Sequence, residues 1–248
     1  MSYMEFAKAQ RYSARVSDKY YVSESERFLY VKFELVLPDR IEYQSGQFVS
    51  LKINERDERR CYSMASTPDD NHGFHLMAEI VEGGKGSEFL QKLEIGAEME
   101  ALAPLGRFVI SENKTNKFLF VATGSGIVPI YSMINDLLIN KKETRQMRLH
   151  WGMRSEADLF FVDNLERLAE LYPNFVFDIV LSRPSEDWEL CRGHVQDCLI
   201  RDFDSSTGSG LLGWEAYVCG MPVKVMDIRT RLEELGMKSE NIYHEKFA

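Results

Sequence analysis

The hydrophobic pattern changes period near Lys114, and that change restricts the chain to two folding units of different kind. Before it, short runs rich in β-branched and aromatic residues recur about every ten positions, with turn residues between them. Residues 8–37 read as strands, with their richest runs at 20–22 and 28–35, and so do 48–53, 74–81 and 98–104; Pro38 closes the second run and Ser45-Gly46-Gln47 forms a turn. This spacing predicts an antiparallel barrel or sandwich. After Lys114, apolar strands at 117–122, 146–153, 175–181, 216–219 and 241–247 alternate with helical spacing at 127–140, 162–171, 193–201 and 223–235. Such alternation predicts a mostly parallel, doubly wound α/β sheet. The expected organisation is therefore an antiparallel β domain over residues 1–113 and a nucleotide-type α/β domain over 114–248. The run Ser205 to Gly210 reads as a flexible insert on the second.

Composition narrows the function classes. With a net charge of −9 over 248 residues, and neither half basic, the chain lacks the footprint of a general nucleic-acid binder. No apolar run approaches the roughly 18 residues of a membrane helix. The first residues, Met1 to Lys8, hold no apolar signal-peptide core, so a cytoplasmic location is expected, and a monomer is the default state. The four cysteines, Cys61, Cys191, Cys198 and Cys219, form no C-x-x-C and suit neither zinc nor a plant-type iron–sulfur cluster. Free thiols are expected. The five histidines have no metal-binding spacing on one helix, so no metal is expected.

Several stretches carry chemistry. In Arg60-Cys61-Tyr62-Ser63-Met64-Ala65-Ser66-Thr67-Pro68, strand alternation puts Arg60 and Tyr62 on one face and Cys61 and Ser63 on the other. A guanidinium beside an aromatic suits a ligand with both a phosphate and a flat ring. Gly83-Gly84-Lys85-Gly86-Ser87 leads into a helix from Glu88 to Leu93, which makes an anion site of unpaired N–H groups, with Ser87 as cap or phosphate ligand. Thr123-Gly124-Ser125-Gly126-Ile127-Val128-Pro129 joins the first α/β strand to a helix, where such sheets bind nucleotides. Pro129 stands where the third glycine of an ordinary dinucleotide fingerprint would be, which argues against an ordinary Rossmann dehydrogenase. Ser182-Arg183-Pro184 follows the third strand and offers a hydroxyl and a guanidinium to a ribose 2′-phosphate. Val218-Cys219-Gly220-Met221-Pro222 ends the fourth strand, with a small side chain that leaves room for a flat ring. Taken singly, each has a plain structural alternative: a strand with a core aromatic, a capped helix, a ligand-free turn, a solvated arginine, or a buried structural cysteine. The terminal run Tyr243-His244-Glu245-Lys246-Phe247-Ala248 reads as a closing strand, with Phe247 either in the core or over a cofactor ring.

Together these residues resemble the ferredoxin–NADP⁺ reductase family of flavoproteins, over essentially the whole chain and in the family's order. Arg60-Cys61-Tyr62-Ser63 is similar to its R-x-Y-S flavin motif, Gly84-Lys85-Gly86-Ser87 to its G-x-x-S pyrophosphate motif, Thr123 to Pro129 to its G-T-G-x-x-P nucleotide motif, and Cys219-Gly220 to its C-G motif. The resemblance implies FAD as prosthetic group and NADP(H), with NAD(H) not excluded, as the second cofactor. It implies that Arg60 binds FAD phosphate, that Tyr62 stacks on the isoalloxazine, and that Ser63 bonds to flavin N5. Lys85, Gly86 and Ser87 would hold the pyrophosphate, and backbone groups from Met77 to Ile80 would support the flavin. Thr123, Gly124, Ser125, Gly126 and Pro129 would hold the nicotinamide nucleotide, and Ser182 and Arg183 its 2′-phosphate. Cys219, Gly220 and Met221 would line the nicotinamide pocket. Glu245 and Phe247 resemble the family's C-terminal acid and aromatic, the acid in proton transfer and the ring over the flavin; Ala248 and the Phe in place of Tyr are departures. The implied reaction passes hydride between nicotinamide C4 and flavin N5 at roughly 3–3.5 Å, at the seam of the two domains. Single electrons then go to or from a separate ferredoxin or flavodoxin, for which Arg11, Arg15, Arg56 and Arg59 are candidate docking cations. The alternatives are a reductase of free flavin, the reductase component of an oxygenase, and a non-catalytic nucleotide-sensing or electron-relay subunit.

Overall fold

The computed structural model describes residues 6–112, 117–203 and 210–247. The expected boundary at 113/114, the insert at Ser205 to Ser209 and the terminal Ala248 lie outside the described residues. Two compact units emerge: residues 1–112 with 131–141, and residues 113–130 with 142–248.

The first unit is a six-stranded antiparallel sheet. Its strands are β1 (Gln10–Tyr21), β2 (Phe28–Leu37), β3 (Phe48–Lys52), β4 (Arg59–Ser63), β5 (Gly73–Glu79) and β6 (Glu98–Leu105), in the order β4-β3-β6-β1-β2-β5. The end strands meet through a single bridge between Met64 and Leu76, which closes the sheet into a barrel. Alternate residues point inward, so Val31, Phe33, Val49, Leu51, Phe74, Leu76 and Ala101 fill one core. Each large apolar side chain so buried contributes about 1.5–3 kcal/mol. Helix α1 (Lys85–Lys92) sends Leu90 into the same core. It begins three residues earlier than the sequence suggests, because Gly84 adopts extended backbone as its N-cap and lets Lys85, Gly86 and Ser87 form the first turn.

The second unit is the expected parallel sheet. Strands β7 (Lys117–Thr123), β8 (Gln146–Met153), β9 (Phe175–Leu181), β10 (Cys191–Arg192), β11 (Trp214–Gly220) and β12 (Ile242–Lys246) lie in the order β10-β9-β8-β7-β11-β12. Strand β11 is buried throughout, as are Phe118 to Ala122 of β7, which is why these stretches read as apolar runs, broken only by the buried Glu215 of β11. The two-residue strand β10 has no sequence signal of its own. Helix α2 (Ile127–Asn135) continues through a π-helical turn at Asp136–Asn140, followed along the chain by α3 (Val162–Leu171), α4 (Val195–Phe203) and α5 (Pro222–Glu234). Strand order reverses between β7 and β11, and a doubly wound sheet binds its ligand at the carboxyl ends flanking that reversal. Among the described residues, no helix is long and apolar enough to cross a membrane.

Candidate cofactor sites

In the first unit, β4 and the start of α1 form one cradle. Arg60 Nη2 lies 2.8 Å from Glu58 Oε1, and Lys85 Nζ lies 3.1 and 3.0 Å from the two oxygens of the same carboxylate. Two cations from segments some 25 residues apart thus converge on one anion. The hydrogen bond from Lys85, then that from Arg60, holds Glu58 below the usual carboxylate range. Gly86 faces this point: a Cβ there would collide with the Tyr62 hydroxyl and come within 3.1 Å of Arg60 Cγ. Only a glycine lets the helix start approach the ring and the guanidinium so closely. The N-terminus of α1 has no side-chain cap, so its first N–H groups are not taken by one. Ser87 does not cap the helix. It sits inside the first turn, and its Oγ accepts the Val81 N–H at 2.9 Å.

Tyr62 is half-buried against the barrel core, and burial pushes its phenol up to about 12, so it stays neutral. Ser63 is buried and Cys61 exposed, so the two residues on the opposite face of β4 see different surroundings. Met77 is buried in β5 and paired with Tyr30, and the Ile80 N–H donates to Arg27 O at 2.7 Å. That amide is therefore committed within the barrel. The chain after β4 is held from three sides. Tyr43 donates to Thr67 O at 2.6 Å, Ser132 donates to Ser66 O at 2.6 Å, and Ser66 Oγ accepts the His75 N–H at 3.1 Å. Ser132 belongs to the stretch 131–141 that clusters with this unit, where buried Asp136 accepts from Ser45 at 2.9 Å and pairs with Lys141 at 2.7 Å.

In the second unit, β7 ends in a 3₁₀ turn over Gly124–Gly126 that leads directly into α2. The Trp151 indole donates to Gly124 O at 3.1 Å and fixes the turn from β8. A Cβ on Gly126 would strike the Cys219 carbonyl, and one on Gly220 would strike the Thr123 hydroxyl. The two glycine motifs therefore interlock at the reversal of strand order. Thr123 Oγ1 is buried there with no hydrogen-bond partner, a polar atom suited to a ligand. Cys219 is fully buried and pairs in register with Glu245 of β12; burial, then the nearby carboxylate, pushes its thiol up. The Phe247 N–H donates to Gly220 O at 2.9 Å, which ties the chain's end to the same point. Met221, the N-cap of α5, is exposed. Ser182 and Arg183 are exposed just past β9, with the Arg183 N–H donating to Arg154 O at 2.8 Å.

Sequence reasoning missed Glu58 and Trp151. Glu58 had one available signal, its place two residues before Arg60 at the entrance to β4; Trp151 had none beyond its place in an apolar run. It also left the counter-charges unassigned. Arg11 pairs with Glu100, Arg15 with Glu98, and Arg59 with both Asp57 and Glu100, so three of the four candidate docking arginines are neutralised. The carboxylates of Asp178 and Asp202, which with His150 bring three ligand-type atoms together, are already held by Arg148 at 2.9 and 2.6 Å.

Comparison with known proteins agrees with this geometry. The oxidoreductase FAD-binding domain model matches residues 13–110, and the oxidoreductase NAD-binding domain model matches residues 120–230. Ferredoxin–NADP reductase B of Sorangium cellulosum (strain So ce56) is 33% identical over 83% of this chain and 85% of its own length. The chain belongs to the ferredoxin–NADP reductase family. Within that family, the reductase component of phenol 2-monooxygenase from Pseudomonas sp. (strain CF600) is 31% identical over 91% of this chain, which spans 62% of that relative's length. The crystal structure of an Amycolatopsis cytochrome P450 reductase superposes with a TM-score of 0.87 at 25% identity, covering 96% of this chain and 70% of that one. As a member of the ferredoxin–NADP reductase family, the chain is an FAD- and NAD(P)-binding oxidoreductase, and both cradles fit those groups: a cationic, glycine-lined bed beside a tyrosine in one unit, and a glycine turn with an orphaned hydroxyl in the other.

Proposed function

We propose that the chain is an FAD-dependent reductase that takes electrons from a nicotinamide nucleotide, with NADPH favoured, and passes them singly to a separate ferredoxin or flavodoxin in the cytoplasm. The observation that carries this reading is the convergence of Arg60 and Lys85 on one carboxylate, with Gly86 packed against Tyr62. Glu58 occupies the place of an anionic ligand, and a pyrophosphate would take over its two cations. In this reading Arg60, Lys85, Gly86 and Ser87 hold the flavin pyrophosphate, and Tyr62 and Ser63 face the ring. Cys61, Met77, Ile80 and Gly84 belong to the same bed. The bound flavin supplies the conversion between two-electron and one-electron transfer. Thr123, Gly124, Ser125, Gly126 and Pro129 bind the nicotinamide nucleotide with Gly220 and Met221, and Ser182 and Arg183 take its 2′-phosphate. Cys219 stays a neutral thiol and so packs against a ring without adding charge. Glu245, in register beside it, is the acid available for proton movement, and Phe247 is held nearby by its backbone.

A second reading, the reductase component of an oxygenase, draws on the phenol 2-monooxygenase relative at 31% identity. Turnover of the purified, flavin-loaded protein with NADPH and with NADH, using ferricyanide, ferredoxin, flavodoxin and free FMN as acceptors, separates the two. Preference for a ferredoxin or flavodoxin supports the first. A protein that neither retains FAD through gel filtration nor oxidises either nucleotide refutes both.

A further inference from the structure

We propose that Cys191 and Cys198 form a reversible oxidation site, in which hydrogen peroxide converts the two thiols to a disulfide through Cys191. The two residues come from β10 and α4 and pack in one apolar cluster, Cys191 half-buried and Cys198 buried. Arg201, one turn beyond Cys198 on α4, donates from Nη1 to Cys191 Sγ at 3.0 Å, which places the Cys191 sulfur against the helix that carries Cys198. The Arg201 guanidinium, itself held by Asp202 at 2.8 Å, orients the Cys191 sulfur, and partial exposure gives a small oxidant access. Cys198 is the more enclosed of the two: burial, then the neighbouring Cys191 thiol, pushes its thiol up to about 12, so it waits as the protonated partner. The remaining two cysteines do not share this arrangement, since Cys61 is exposed on β4 and Cys219 lies buried in β11.

The chemistry balances with one peroxide. Cys191 sulfur attacks one peroxide oxygen, the O–O bond breaks, and the departing hydroxide takes a proton to leave as water; Cys191 becomes a sulfenic acid. Cys198 sulfur then gives up its proton and displaces the sulfenic hydroxyl as a second water, forming the S–S bond. Two thiols lose two electrons, and one peroxide becomes two waters.

The bond would act on the loop that carries Ser182 and Arg183. That loop leaves β9 at Leu181 and returns at Cys191. It is anchored on the returning end, because the Trp188 indole donates to Cys191 O at 3.1 Å and Arg192 donates to Glu186 O and Trp188 O at 2.7 Å each. Drawing the Cys191 sulfur off Arg201 and onto α4 shifts the residue on which the loop is anchored. This consequence, unlike the oxidation itself, rests on the nucleotide-binding role assigned to Ser182 and Arg183.

Peptide mapping tests the site directly. Trypsin cuts after Arg192, between the two cysteines, and releases residues 168–192 and 193–201. After brief treatment of the full-length protein with a small excess of hydrogen peroxide and blocking with iodoacetamide, the expected product is this peptide pair cross-linked, lighter by two hydrogens and separated by dithiothreitol. Recovery of both peptides alkylated, or Cys191 carried to sulfinic acid with Cys198 still alkylated, overturns the proposal. Arg201→Gln should slow cross-linking several-fold, and an unchanged rate removes Arg201 from the mechanism. For the loop, the oxidised protein should show a several-fold higher KM for NADPH with little change in kcat, restored by dithiothreitol and absent in Cys191→Ser. An unchanged KM in cross-linked protein overturns the coupling alone. Absence of turnover in the reduced protein counts against the functional reading and leaves the mapping result standing.

Discussion

Replacing Gly126 by alanine tests whether the interlocked glycine turns set the geometry of the nucleotide site. The new Cβ would stand 2.5 Å from Cys219 C and 2.7 Å from Gly220 N, with the Cys219 carbonyl oxygen closer still. Ordinary contact begins at 3.4 Å, so the turn after β7 must move by about 1 Å. All three obstacles are backbone atoms of a strand paired with β7 along its length, so no side chain can swing aside. Overpacking of this kind costs about 1–3 kcal/mol, which for a chain of this size lowers Tm by about 2–10 °C. A displacement of about 1 Å at a positioning element can cost on the order of 10²-fold in rate. The expected outcome is a ten- to hundred-fold loss (order of magnitude) in kcat/KM for NADPH with ferricyanide as acceptor, while flavin absorbance stays at the wild-type level. Gly210→Ala is the control, because nothing lies within 4 Å of a Cβ there. If Gly126→Ala retained kcat/KM and Tm at control values, the close approach of the two turns would not matter and the reasoning would fail.

Three further outcomes are expected. Tyr62→Ala should lose flavin on gel filtration while far-UV circular dichroism stays unchanged; full flavin retention would remove the stacking role. Glu58→Gln should tighten FAD binding several-fold in a fluorescence titration, because it releases Arg60 and Lys85 from a competing carboxylate; weaker binding would show that Glu58 supports the cradle instead. His150 is fully buried among Arg148, Asp178, Arg201 and Asp202, and burial pushes its pKa down to about 4 from an unfolded value of about 6.5. The unfolded chain therefore takes the proton first, so stability is complete above about pH 6.5 and declines as pH falls toward 4. His150→Asn should flatten the fall of Tm over that window, and superimposable wild-type and mutant slopes would refute the assignment.

Much of this was legible in the sequence because the physics is local. Alternation in the barrel strands and the apolar runs of β7 and of Ala216 to Cys219 in β11 follow directly from one-sided and two-sided burial. The glycine motifs were legible too, because close backbone approach demands glycine wherever it occurs. What escaped depended on partners distant along the chain. The ion pairs that neutralise Arg11, Arg15 and Arg59 come from β6 and from the tip before β4, and no pattern within those segments announces them. The start of α1 was placed too late because Gly84 and Gly86 lower helix propensity, whereas packing of Leu90 and the close approach to Tyr62 override that preference. Strand β10 is two residues long and exists only because β9 offers an edge.

The barrel seam carries a consequence for the life of the protein before it acquires its cofactor. Strand β4 is laddered to β3 along its whole length, but the sheet closes on β5 only through the Met64–Leu76 bridge and the Ala65 N–H bonded to His75 O at 2.8 Å. The strand that bears Arg60 and Tyr62 is thus the least tethered stave of the barrel. Local opening there exposes an unpaired strand edge to proteases and to other chains. A ligand that grips β4 and α1 together acts as a clasp across that seam, worth about 2.7 kcal/mol at a hundredfold excess over its Kd. Supply of the prosthetic group would then set how much of this protein survives in the cell, independently of how fast each molecule turns over.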